Sequence, residues 1–273
     1  MIVILLMARR TLKRGLAGSI FLMIGIFLFE FVQPLVADSM GGGEGLAAMM
    51  ERLPPAFQSV VQARPEFIAV SGLSGYLSIG FTHPLFFVMT SAALVALIGR
   101  SIAGEIESGA LELAIARPVS RTAVYVSRLL AVGLTILALI AAAIGGLVMG
   151  VVLGKPDGDF NWSHLPEVAI VTGLLMAGIA GVTLASTAAS GTTSQAVGRA
   201  TGFIVVSFLI NYLASIWSVI EPFDPISIFS WYQPADAFVN GTIDSIDALV
   251  LGTVAVVGAV LGGIVFTRRD LPA

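Results

Sequence analysis

The stretch TAVYVSRLLAVGLTILALIAAAIGGLVMGVVL, Thr122–Leu153, decides the fold. From Leu129 to its end it carries no ionisable side chain. It is also longer than the roughly 20 apolar residues a helix needs to cross about 30 Å of hydrocarbon. Five stretches of the same kind flank it. Approximately, they are Leu16–Ala37 and Pro84–Ala103 on the N-terminal side, then Pro166–Ala189, Ala200–Ile220 and Ile246–Phe266. The long stretch exceeds one crossing and holds Arg128 near its start, so its first two turns are expected to stand in the cytoplasm. The expectation is an all-α integral membrane protein, a single domain over residues 1–273 with six transmembrane helices.

Composition agrees with lipid as the main solvent. Of 273 residues, 57% are hydrophobic and 11% charged, against about one charged residue in four for soluble domains. Mean hydropathy is +0.97. Such a chain is neither an ordinary soluble domain nor disordered. There is no cysteine, which excludes disulfide frameworks, thiolate metal sites and thiol nucleophiles.

Net charge is only −3, so the placement of charges carries the information. Eleven of the fourteen cations fall on one side of the six stretches: Arg9, Arg10, Lys13, Arg14, Arg100, Arg117, Arg121, Arg128, Arg199, Arg268 and Arg269. Arg52, Arg64 and Lys155 fall on the other, among most of the acids. Cations near spans are retained in the cytoplasm, so both termini are expected there, in a multi-pass protein of the cell (plasma) membrane. Residues 1–15, apolar from Met1 to Met7 and then basic, suit a short helix lying on the inner leaflet. A cleavable signal would carry its basic residues first and a better small-residue site than Val36-Ala37-Asp38.

The outer segment Asp38–His83 reads as a long loop, opening with Gly41-Gly42-Gly43, divided by Pro54-Pro55, with a short helix over Leu46–Leu53. In the third outer loop, Glu221–Ser245, Trp231 and Tyr232 read as interfacial anchors. His83 and His164 read as interfacial residues, with no metal cluster around them.

The inner loop between the second and third spans differs in kind: GEIESGALELAIARPVSR, Gly104–Arg121. Ile106, Ala110 and Leu113 fall on one side at helical spacing, with Glu105 and Glu112 on another, so a short amphipathic helix is expected over about 104–117. Pro118 ends it. Its three carboxylates, on the face otherwise favoured by cations, offer a surface to a basic partner; a solvated connector is the competing reading.

This loop resembles the cytoplasmic signature of the membrane-domain subunits of type-two ATP-binding-cassette (ABC) exporters. There an acid, a Glu-Ser-Gly turn, a Leu-Glu-Leu helix and a Pro-Val-Ser-Arg exit join the second and third of six spans. The six-span layout, the amphipathic start and the ending Phe266-Thr267-Arg268-Arg269-Asp270-Leu271 are similar too, whereas Ala110 stands where the family more often has threonine. The resemblance implies a coupling helix pressed into a separate ATPase subunit. Glu105, Glu107, Gly109 and Glu112 would make the contact, and Arg117, Pro118 and Arg121 would shape the return to the membrane. It also implies a second permease copy or a paralogue. Only two lysines are present and neither follows a phosphate-cradling glycine pattern, so no cofactor is expected on this chain; ATP and Mg are expected on the partner ATPase.

Small residues mark helix contacts. Gly173, Ala177, Gly181, Ala185 and Ala189 recur every four residues in the fourth span, Ala142, Gly146, Gly150 and Gly154 in the third, and Gly258 with Gly262 in the sixth. Glu30 and Asn211 are the candidate substrate-path residues. The competing reading of Glu30 is that the first span ends near Val32 and its carboxylate meets outer-leaflet water, as Gln33-Pro34 suggests; that of Asn211 is a hydrogen bond to a neighbouring helix.

Two other classes compete. Gly72-Leu73-Ser74-Gly75 matches the serine motif of rhomboid-type intramembrane proteases, but neither His83 nor His164 sits mid-span as the base that serine needs. An ATP-independent secondary transporter or channel would place ionisable groups near the midplane, and spans three to six are free of them beyond Arg128. That sparse interior suits bulky apolar or amphipathic cargo and an external engine.

Overall fold

The computed structural model describes residues 2–39, 52, 65–110 and 119–268, and every regular element among them is helical. In chain order these are α1 (Ile2–Arg14), α2 (Leu16–Ser39), α3 (Pro65–Thr82), α4 (Pro84–Ser101), α5 (Ala103–Glu107), α6 (Arg121–Gly154), α7 (Leu165–Ala188), α8 (Thr193–Ala214), α9 (Pro234–Asn240) and α10 (Ser245–Arg268). Short 3-10 turns cover Trp162–His164 and Glu221–Ile226. Six helices, α2, α4, α6, α7, α8 and α10, are long and apolar enough to span a membrane. Large apolar side chains such as Phe21, Leu137, Val206 and Val256 are exposed on their outer faces, as lipid-facing helices require.

Glycine sets the two closest helix pairs. α2 lies against α6 because Gly146 and Gly150 present no side chain to the backbone carbonyls of Phe27 and Phe31, and a Cβ on Gly154 would lie 2.7 Å from Leu35 Cδ2. α7 and α10 cross at Gly181 and Gly258: a Cβ on Gly181 would lie 2.8 Å from the Ala255 carbonyl oxygen, and one on Gly258 would run into the Gly181 backbone. A Cβ on Gly262 would meet the Tyr125 hydroxyl at 2.8 Å, the same hydroxyl that donates to the Ala259 carbonyl at 2.6 Å. These contacts lie within one chain. The strip in α7 does not serve a single neighbour, since Gly173 faces Ile140 of α6 and Gly181 faces α10, with Ala177 half-buried between them. Steps of four residues rotate by about 40° around a helix, so a strip at that spacing winds from one partner to the next.

Several expectations change. The segment read as one long outer loop contains α3, whose second half, including Leu73, Leu77 and Phe81, is buried in the core. Its hydropathy was too short a run to count as a crossing, and Gly72 breaks it at φ 57°. The glycine opening at 41–43, residues 46–51 and 53 of the expected short helix, and the chain end from residue 269 lie outside the described residues. α2 does not end near Val32 but continues to Ser39 with Pro34 inside it. The lost turn is accommodated because Pro34 packs on Gly150, whose Cβ would lie 2.9 Å from the ring. In the first turns of α6, Val124, Tyr125, Ser127 and Arg128 are buried against the rest of the chain. Tyr232 is not an interfacial anchor. It is 2% exposed, its hydroxyl 3.2 Å from Thr172 Oγ1 and its ring beside Phe87.

Candidate functional site

At the end of the bundle where the cations collect, α4 ends at Ser101 and the chain turns through Ile102 into α5, a helix of five residues. Three parts of the molecule hold it. Glu105 is gripped from both sides: Arg14 of α1 donates to Oε1 at 2.8 Å and Arg128 of α6 to Oε2 at 2.6 Å. Glu107 receives the backbone N–H of Thr193 at 2.8 Å, which satisfies a free donor of the first turn of α8 and sets a negative charge at its positive end. Thr192 completes that cap, its hydroxyl accepting from the Gln195 N–H at 3.3 Å.

Arg128 explains itself once α1 is in place. Its guanidinium donates through Nε to the Ser101 carbonyl at 3.1 Å, through Nη1 to the Thr11 hydroxyl and through Nη2 to Glu105. A cation in an apolar stretch is costly unless paired and fully hydrogen-bonded. This one, 4% exposed, ties α1, α4 and α5 to the root of α6.

The α5 helix stops at Ser108-Gly109. Gly109 takes φ +67° and its N–H donates to the Ile106 carbonyl at 3.1 Å, a left-handed cap that favours glycine. The expected continuous helix over 104–117 is therefore interrupted here, and Ala110, where the described residues stop, is again helical. Glu112, Arg117 and Pro118 lie outside the described residues. Arg121 is the first residue of α6, where the Ser120 hydroxyl accepts from the Ala123 N–H at 3.1 Å. Of the predicted contact residues, Glu107 is exposed at the turn, next to exposed Ser108, whereas the Glu105 side chain, 12% exposed, is turned inward onto the arginines.

The two candidate path residues part company. Glu30 is fully buried on the stripe Ile26, Glu30, Pro34 and Ala37, and neither carboxyl oxygen has a hydrogen-bond partner among the described residues. The outer-water reading is thus overturned: Pro34 bends α2 without ending it, and α3 covers the carboxyl with Gly80, whose Cβ would lie 2.6 Å from Oε2. Gln33 is held there too, accepting from the Tyr76 hydroxyl at 3.2 Å. Asn211 is not mid-span but in the last turn of α8, where its Nδ2 donates to Asp224 Oδ1 at 3.1 Å and pins the 3-10 turn to that helix.

Sequence reasoning missed a lengthwise groove of about 540 Å³ between α4 and α8, lined by Phe87, Ser91, Val95, Arg100, Thr201 and Phe208 among others. It runs along α4 from Pro84 to Arg100, about 24 Å at 1.5 Å per residue, most of the hydrocarbon thickness. Ser91 Oγ is buried without a hydrogen-bond partner among the described residues. Thr193, Val197, Thr201, Ile204 and Phe208, spaced by three or four, were the signal in the sequence.

The histidines have structural posts. His83 caps α4, its Nδ1 accepting the Leu85 N–H at 3.1 Å, and its half-burial lowers the imidazole pKa. His164 is held through both ring nitrogens, Nδ1 lying 3.0 Å from the Phe238 carbonyl and Nε2 2.9 Å from the Asn161 side-chain amide. No group of three metal-ligating side chains forms among the described residues.

Six apolar helices joined at a charged end through an ion-paired turn make a multi-pass membrane protein. The chain belongs to the ABC-2 transporter family: the model described as ABC-2 family transporter protein matches residues 6–271, nearly its whole length. It is a membrane permease of an ABC transporter. No curated protein matches it.

Proposed function

We propose that this chain is the permease subunit of an ATP-driven exporter whose ATPase is a separate protein, and that the α5 turn is where that ATPase pushes. The anchoring of α5 carries the reading. It follows α4 directly, is ion-paired to α1 and α6 and caps α8, so a displacement applied at Glu107, Ser108 and Gly109 reaches four long elements at once. A solvated connector has no use for three such ties. On this reading the cation-rich end, with α1 and the end of α10, faces the cytoplasm of a cell membrane, and ATP with Mg binds the partner. A second permease copy or a paralogue completes the transporter. The α4–α8 groove forms the wall along which apolar or amphipathic cargo moves, with Arg100 at its cytoplasmic mouth.

The chain lacks cysteine, so single-cysteine variants report sidedness directly. Ser108→Cys should react with an impermeant maleimide only from the cytoplasmic side and Asp157→Cys only from outside, and an ATPase subunit should copurify and confer ATP-dependent transport. Labelling of Ser108→Cys from outside overturns the orientation. Transport by this chain alone, indifferent to ATP, overturns the coupling.

A further inference from the structure

The charge balance around α1 is lopsided. Arg9, Arg10, Lys13 and Arg14 lie within two turns, and with Leu6 they border a shallow, open surface site of about 320 Å³. Arg9, Arg10 and Lys13 make no ion pair among the described residues; only Arg14 does, with Glu105, and Glu105 already answers Arg128. Like charges packed this closely repel one another, and no acid among the described residues offsets the other three. The preceding half of α1 is apolar and bare: Ile2 is 73% exposed, Leu5 53% and Leu6 58%. The opposite face is not available, since Ala8 and Thr11 are buried.

We infer that this site holds the phosphate of an anionic membrane lipid, and that the bound lipid competes with Glu105 for Arg14, loosening α5 on one side. Leu6 in the wall and the bare apolar turns beside it select a lipid over a free anion, because a soluble phosphate leaves those side chains in water while an acyl chain covers them. Arg14 belongs to both the basic site and the ion pair, and its side chain is 49% exposed, so it is the mobile member of the pair. Arg128, 5% exposed on its side chain and held by three acceptors, stays where it is. Lipid composition thereby tunes the stiffness of the α5 turn, whatever protein docks on it.

The test is hydrogen exchange on the full chain in nanodiscs. With phosphatidylglycerol mixed into phosphatidylcholine, amides 103–110 should exchange about threefold faster than in phosphatidylcholine alone, the scale of one half-exposed ion pair. The difference should vanish in Arg9→Gln/Arg10→Gln/Lys13→Gln, and Glu105→Gln should be fast in both lipids. Inorganic phosphate added to phosphatidylcholine discs should have no effect. Equal exchange in the two lipids overturns the inference, as does a lipid effect that survives the triple variant or is reproduced by free phosphate. Should the triple variant not insert, Arg10→Gln alone must shrink the difference; an unchanged difference counts against the site.

Discussion

Glu105 meets two arginines, and the structure makes the two bonds unequal. The Arg128 pair is 2.6 Å long between side chains 5% and 12% exposed, while Arg14 is 49% exposed. Removing one partner of a buried pair costs about 3–5 kcal/mol, because a charge is left without compensation. Arg128 keeps the Ser101 carbonyl and the Thr11 hydroxyl, so the low end, about 3 kcal/mol, is expected for Glu105→Gln. The Arg14 bond, half in water, is worth about 0.2–1 kcal/mol. Double-mutant cycles of Glu105→Gln with Arg128→Met and with Arg14→Gln should therefore give coupling energies differing by about 2 kcal/mol, roughly thirtyfold in an equilibrium constant. Reversible unfolding of the purified protein in mixed micelles measures both cycles. Equal couplings, or one near zero for Arg128, would refute the view that α5 is anchored chiefly through α6. Glu105→Arg, by contrast, puts a third cation between two others and should unseat α5 altogether, so any loss of ATPase coupling it causes reports the anchor before the docking surface.

Other consequences are as direct. Gly109→Val should cost about 1–2 kcal/mol for a left-handed β-branched residue while Gly109→Asn costs less, and ATPase stimulation by the reconstituted permease should fall in the same order. Gly181→Leu and Gly258→Leu should each destabilise the protein by at least about 1–3 kcal/mol in the same unfolding assay; a neutral result would mean that α7 and α10 do not cross there. Gly80→Ala should lower thermal stability and Glu30→Ala should restore much of it, since the added methyl meets the Glu30 carboxyl; equal loss in the single and double variants would place that carboxyl elsewhere. Glu30→Gln alone should be no less stable than the natural chain, because the carboxyl has no hydrogen-bond partner among the described residues to lose.

Much of the fold was legible because hydropathy acts residue by residue. Six long apolar runs with cations between them can only become helices in lipid, where every backbone group must be satisfied within its own segment. The α5 turn was legible only in part: periodicity pointed to an amphipathic helix over about 104–117, whereas Gly109 at φ +67° ends it after Glu107, a left-handed cap that periodicity does not register. The competing reading of Glu30, in outer-leaflet water, failed because Gln33-Pro34 carries the local signal of a helix end, and whether a proline ends a helix or bends it depends on what lies opposite, here Gly150. α3 was overlooked because it is buried by its neighbours rather than by lipid, so it needs no run of span length. Asn211 looked mid-span only because the apolar run continues past the last helical turn at Ala214.

The sequence by itself determined that this chain lives in a membrane, how many times it crosses, and which end carries the cations, because transfer into lipid is a property of each segment alone. The tertiary structure alone decided which charges stay at the surface. Glu105 and Glu107 look equivalent in the chain. Only the packing of α1 and α6 turns Glu105 inward onto Arg14 and Arg128, while Glu107 stays at the surface on the first turn of α8. Ion pairs between residues 91 and 23 positions apart depend on distances that no local pattern encodes.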